Sequence, residues 1–370
     1  MIQVLIDSRA YGMSGIGRYI EFLIKNIIST SSISYTVLAY EDTLDWMRED
    51  LNKRGVSLLK SDLKPFSFRE VFTGIRLFAK LARQFDLIHF THTNAPFIIP
   101  KNSVMTIHDI IPLRLPYRLT AKLYLFMFLS LNIRRCRQII TVSEFTRKDI
   151  IKQFKAAENK STTIYTRFHP IHTEEENPDI AGSIHQFFHE GRCFLYVGNR
   201  KPHKNLEFTI RVFDTLMSEY PDIRLVIAGN RFEEHDVIDS VLQHVEHTDR
   251  FLTLTEVSDT LLGFLYTRAY AVVLFSIYEG FGMPPIEAAA VGTPSLVSDK
   301  TSLPEIVGSD LCIVPIDDRG KTLEKIRLCL DDADYYESMK NHMLQRAEYF
   351  FSYDSISRIE QIYTSGKRHE

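Results

Sequence analysis

The chain has 370 residues, of which 45% are hydrophobic and 25% charged, with a formal net charge of -3. That length suits two domains better than one, and the composition is that of a soluble globular protein with ample core. A near-neutral balance excludes a dedicated nucleic-acid binder, because no global basic field draws a polyanion.

The first apolar run stops at Asp7 with no cationic leader before it, so a strand over residues 3–7 is expected rather than a signal peptide. Further strands are expected over 35–39, 87–90, 103–107, 138–142 and 162–165. Helices are expected over 17–29, 69–84, 121–135 and 144–154, the last with Ser143 as N-cap. The acidic, proline-containing stretch 174–178 reads as a solvated linker. A second series follows, with strands over 194–198, 223–228, 250–254 and 271–275. Its helices are expected over 206–219, near 236–245, over 258–268, and from about Pro285. Such alternation predicts an α/β protein of two doubly wound parallel sheets facing a central cleft, with ligands beyond the carboxyl ends of the strands. The most apolar run, 123–131, is far short of the roughly 18 residues that cross a membrane. Cys136, Cys193, Cys312 and Cys329 lack the paired spacing of a zinc site and read as reduced, cytoplasmic packing residues.

The most informative stretch is residues 276–287, Ser-Ile-Tyr-Glu-Gly-Phe-Gly-Met-Pro-Pro-Ile-Glu. Glu279 and Glu287 bracket the turn Gly280-Phe281-Gly282, and the proline pair suits the first turn of a helix. Glycines let a backbone approach a ligand closely, and a helix start favours an anion. Two carboxylates with no third ligand make a poor metal site, whereas a carboxylate pairs well with vicinal hydroxyls. A partner both anionic and hydroxyl-rich is expected, and a nucleotide sugar is both.

Three other segments carry candidate chemistry. Residues 198–205, Gly-Asn-Arg-Lys-Pro-His-Lys-Asn, place Arg200 and Lys204 between a strand end and a helix, where cations can neutralise a diphosphate without a metal. The alternative is a solvated basic loop. Gly12, Gly15 and Gly17 join the first strand to the first helix, either presenting amides to phosphate or forming a plain tight turn. His108-Asp109 ends the strand over 103–107, either touching ligand or acting as a capping Asp beside a half-buried His. Aromatics and cations interleave over 66–83 and 117–137; core packing is the expected role, with an anionic membrane surface or acceptor as the alternative.

Taken together, Gly15-Ile16-Gly17, residues 104–109, Thr141-Val142-Ser143, residues 197–205 and the E-x7-E spacing of Glu279 and Glu287 resemble the retaining nucleotide-sugar glycosyltransferases of family 4, also called group 1. That resemblance implies the two-Rossmann GT-B fold. It implies an N-terminal acceptor-binding domain over 1–175, a nucleotide-sugar-binding domain over 176–352, and a final helix over 353–370 crossing back to the first domain. Glu287 would bind ribose hydroxyls, and Glu279, Phe281 and Gly282 the transferred sugar. Lys204, then Arg200, would bind the diphosphate, with Gly15 on the phosphate side and His108 near the reacting carbon. No cofactor is implied beyond the donor. The partners would be a nucleotide sugar and a glycan or lipid-linked acceptor, and the Pro-His-Lys-Asn loop favours GDP-mannose. Two departures stand out: Asn199 takes the place usual for Arg, and Met13-Ser14 precedes Gly15 where a Gly-Gly pair is usual. The competing readings are an epimerase or phosphorylase of the same architecture, and a non-catalytic partner of another transferase.

Overall fold

The computed structural model describes residues 1–93, 96–166, 182–231 and 237–365. The chain divides into two compact units, Met1–Arg167 with Tyr353–Glu370, and Phe168–Ser352. The expected linker 174–178 and the expected boundary at 175/176 lie outside the described residues.

The first unit is built on a sheet of seven parallel strands: β1 (Ile2–Asp7), β2 (Ile33–Tyr40), β3 (Ser57–Ser61), β4 (Leu87–Phe90), β5 (Ser103–Ile107), β6 (Gln138–Thr141) and β7 (Ser161–Thr163). Their order across the sheet is β3-β2-β1-β4-β5-β6-β7. Strands β4 and β5 are buried at every position, as a sheet covered on both faces demands. Register aligns Asp7 with Phe90, so the ends of β1 and β4 open together where the strand order reverses.

The helix Ser355–Thr364 belongs to this unit. Ile359 and Tyr363 enter its core, and the Tyr363 hydroxyl lies 2.6 Å from His89 Nδ1. Burying side chains of that size contributes roughly 1.5–3 kcal/mol each. His89 Nε2 lies 2.8 Å from Thr106 Oγ1, which is 3.0 Å from the Tyr19 hydroxyl, so this polar row is internally satisfied. Burial holds His89 at about 3 and therefore neutral.

A second buried polar group sits beyond β1. Arg9 is 1% exposed. It donates through Nε and Nη2 to the two oxygens of Asp7 at 2.8 Å each, through Nη2 to Glu70 at 2.6 Å, and through Nη1 to the Leu63 carbonyl at 3.1 Å. One guanidinium thus serves two carboxylates. Burial, and then the neighbouring Asp7 charge against the pull of Arg9, leaves Glu70 pushed up to about 7.

The second unit carries six parallel strands: β8 (Arg192–Val197), β9 (Ile223–Ala228), β10 (Phe251–Leu254), β11 (Ala271–Leu274), β12 (Ser295–Ser298) and β13 (Ile313–Val314), ordered β10-β9-β8-β11-β12-β13. Its reversal falls between β8 and β11. The two motif-bearing loops, 198–205 and 275–283, follow those two strands.

Most expected elements sit within a few residues of their places, and Ser143 caps its helix by accepting from Thr146 N at 3.0 Å. The first helix starts earlier than expected, at Ser14, because Gly12 takes the turn at φ 79°. Core packing over 66–83 and 117–137 requires correction. Phe78 and Phe128 are buried, but Phe68, Phe72 and Phe126 are exposed at 82%, 61% and 41%.

Candidate functional site

In the first unit, three segments meet the carboxyl ends of β1, β4 and β5. Gly15 lies in the first turn of helix Ser14–Asn26, where amides lack intrahelical partners. Gly17 does not share that role. Its amide donates to Met13 O at 2.9 Å, and a Cβ there would fall 2.8 Å from Gly12 N. The residue is glycine because backbone passes against backbone, so the phosphate contact expected of Gly17 gives way to a packing one.

His108 is half-buried at the end of β5. Its Nε2 lies 2.9 Å from Thr91 O, and a carbonyl only accepts, so Nε2 carries the proton and Nδ1 keeps its lone pair. Burial pulls the ring down to about 4 and keeps it neutral at pH 7. The Tyr19 ring packs edge-on against it with centroids 5.0 Å apart. Asp109, expected among catalytic groups, accepts from Ile111 N at 3.0 Å through Oδ1, a local turn bond at the entry to the short helix Ile111–Arg114.

In the second unit, β8 delivers the loop 198–205 and β11 delivers the loop 275–283, and three contacts bind them together. Lys204 Nζ donates to Glu279 Oε1 at 2.7 Å, Ile277 N to His203 O at 2.8 Å, and Asn205 Nδ2 to Phe275 O at 3.1 Å. Asn205 adopts φ 56°, which turns the chain from this loop into helix Leu206–Glu219. Glu279, 7% exposed, also accepts from Ser276 Oγ at 2.7 Å, and its own amide donates to Thr301 Oγ1 at 3.0 Å. Ser302 Oγ stands 3.0 Å from Glu279 O and 2.8 Å from Phe281 O, bracing the backbone around Gly280. Burial, and then the Lys204 charge, keep His203 at about 4 and neutral.

Glu287, 8% exposed, lies in helix Pro284–Ala289 and accepts from the Tyr266 hydroxyl at 2.7 Å. Arg200 is turned to Asp239, with Nη1 3.0 Å from Oδ1, while Arg231 holds the other oxygen of Asp239 at 2.8 Å. Lys204 and Glu279 are therefore brought together, and Arg200 is engaged elsewhere. Sequence reading missed Tyr266, Ser276, Thr301 and Ser302. Ser276 stands inside the motif, three residues before Glu279; the others lie on separate elements, and only the fold brings them in.

Gly282 adopts φ 96°, and a Cβ on it would lie 2.4 Å from Leu303 Cδ2. The leucine tip can shift, but the backbone angle cannot be adopted cheaply by another residue. Gly282→Ala is expected to cost about 1–3 kcal/mol and to lower the melting temperature of the unit in calorimetry.

Comparison with known proteins matches the same two halves. Residues 13–168 match the family model described as Glycosyltransferase Family 4, and residues 181–346 that described as Glycosyl transferases group 1. The O-antigen chain mannosyltransferase RfbU of Salmonella typhimurium is 31% identical over 66% of this chain, and the matched region spans 65% of that protein's length. O-antigen chain mannosyltransferase B of Escherichia coli is 26% identical over 92% of this chain and 93% of its own. Among solved structures, Anabaena HepE in complex with UDP and glucose superposes with TM-score 0.73 at 16% identity, covering 99% of both chains. WaaG, a glycosyltransferase involved in lipopolysaccharide biosynthesis, superposes with TM-score 0.71 at 12% identity, covering 99% of this chain and 100% of that one. Two parallel Rossmann-like sheets, the paired acids after β11 and both family matches in order lead to one conclusion: the chain belongs to the group 1 glycosyltransferases and has the GT-B fold.

Proposed function

We propose that this glycosyltransferase moves a hexose from a nucleotide sugar, mannose from GDP-mannose, to a glycan or lipid-linked acceptor of a cell-surface polysaccharide, with retention of configuration. The observation that carries this reading is the Lys204–Glu279 contact of 2.7 Å at the strand-order reversal, with the braced carboxylate of Glu287 in the same turn-helix segment. Both O-antigen mannosyltransferases named above support the sugar and the acceptor class.

In this proposal Glu287, oriented by Tyr266, accepts from the two ribose hydroxyls. Lys204 leaves Glu279 for the diphosphate, and Glu279 then accepts from hydroxyls of the transferred sugar. The amides of Phe281 and Gly282 meet that sugar, and Gly15 lies on the phosphate side. Arg200 reaches the diphosphate only by giving up Asp239. As the glycosidic C–O bond breaks, its electron pair moves to the diphosphate, where a single well-placed donor contributes about 3 kcal/mol. The acceptor hydroxyl attacks from the face the diphosphate leaves, and its proton passes to the departing phosphate oxygen. Neutral His108 offers Nδ1 as an acceptor to a hydroxyl near the reacting carbon.

The test is nucleoside diphosphate release from GDP-mannose with a lipid-linked glycan acceptor, with UDP-, dTDP- and ADP-sugars in parallel and product configuration read by NMR. Turnover with another donor would overturn the choice of donor, and an inverted product would overturn retention. Glu287→Ala should weaken nucleoside diphosphate binding about 10–100-fold in calorimetry, and Tyr266→Phe less than about 10-fold. Unchanged affinity in Glu287→Ala would remove the ribose assignment.

A further inference from the structure

The first unit carries an exposed apolar surface built from residues to which the proposed donor site assigns no role. Phe68 and Phe72 are exposed at 82% and 61%, and Leu119, Leu123 and Met127 at 79%, 56% and 49%. They come from two helices, Phe68–Leu81 and Leu119–Arg135. A cavity of about 440 Å³ joins these helices, with Phe66, Phe68, Phe72, Phe97 and Tyr124 in its wall and Glu70 among its few polar groups. Spacing places Phe68, Phe72, Arg76 and Lys80 along one row of the first helix, and Leu119, Leu123 and Phe126 along one row of the second.

Charge identifies the occupant. Residues 71–85 and 110–143 contain no Asp or Glu, so Arg76, Lys80, Arg118 and Lys122 surround the apolar rows without acidic neighbours in sequence. Arg76, Lys80 and Arg118 are exposed and, among the described residues, none of the four is ion-paired. A twofold dimer through this face would set the cations of one copy against those of the other, which disfavours self-association. An anionic bilayer meets both demands: its headgroups neutralise the cations while its acyl region takes in the aromatic and leucine side chains. No helix among the described residues is long and apolar enough to cross a membrane, so such contact is peripheral.

We infer that this face docks on anionic phospholipid, with Phe68, Phe72, Leu119 and Leu123 inserted and the cavity between the helices accepting an aliphatic chain. The inference does not depend on the donor or acceptor proposed above, and its readout is binding rather than activity.

The full chain should sediment with vesicles of phosphatidylcholine containing roughly 30 mol% phosphatidylglycerol, and far less with pure phosphatidylcholine. Raising salt from about 50 mM to about 500 mM should release most of it, as screening shortens the reach of the cations. Phe68→Ser/Phe72→Ser and Arg76→Glu/Lys80→Glu should each weaken vesicle binding about 10-fold or more, while an unchanged melting temperature shows that the exposed substitutions leave the fold intact. Equal binding by wild type and both variants would overturn the inference. So would absent vesicle binding together with a lipid-free, concentration-dependent dimer that Phe68→Ser/Phe72→Ser abolishes, since that result gives the face to a second copy.

Discussion

Lys204→Met is expected to lower kcat by about 10²–10³, since under the proposed function this cation, held between the two site loops, meets the charge on the departing diphosphate. The same change should weaken a nucleoside diphosphate and the intact donor by similar factors. Glu279→Gln should behave differently. It retains an acceptor for Ser276 Oγ but loses the charge offered to sugar hydroxyls, so it should weaken the donor while leaving nucleoside diphosphate affinity within about threefold. Calorimetric titration of each variant with both ligands separates the two roles. Equal weakening of both ligands by Glu279→Gln would show that Glu279 acts on the diphosphate through Lys204 and not on the sugar. Unchanged turnover in Lys204→Met would end the leaving-group assignment.

Arg9→Met is expected to destabilise the first unit by about 3–5 kcal/mol at pH 8, which is the effect of removing one partner from a buried ionic group. The methionine fills much of the volume, but Asp7 and Glu70 then face each other with no cation between them. Their pKa values must rise, so the folded variant binds more protons than its unfolded chain. A raised folded-state pKa confers stability at low pH that is lost as pH increases through it. The deficit relative to wild type should therefore shrink from pH 8 to pH 5, where protonated carboxyls no longer repel. Denaturant titrations at both values check this. A deficit independent of pH would mean that lost packing over Phe78, whose ring lies 5.1 Å from the Arg9 guanidinium, dominates over charge.

The contact between the loops after β8 and β11 was legible because each loop is a short local motif. Glu279, Gly282 and Glu287 share a stretch of nine residues, and Lys204 stands in a loop between a recognisable strand and helix. Strand β11 was legible because it is buried at every position and reads as a continuous apolar run. Strand β3 (Ser-Leu-Leu-Lys-Ser) was not, since an edge strand with mixed exposure carries neither a solid run nor a clean alternation. The brace that Tyr266 gives Glu287 spans 21 residues and two elements, and no spacing rule encodes it. At Asp109 and Gly17 the sequence left two readings open, since a carboxylate or a glycine near a ligand-facing turn can serve ligand or backbone; the backbone partners are Ile111 N and Gly12. The exposed phenylalanines misled through composition, because helical periodicity gives an apolar stripe without saying whether protein or something else covers it.

The packing of Ile359 and Tyr363 into the first unit has a consequence for biosynthesis. A ribosome releases the seven strands of that unit long before it makes the helix that completes their interior. Until the final turn Gln361 to Thr364 emerges, His89 lacks its phenolic partner and the apolar pocket for Tyr363 stands open to water. The second unit is continuous in sequence and can close before the interior of the first is complete.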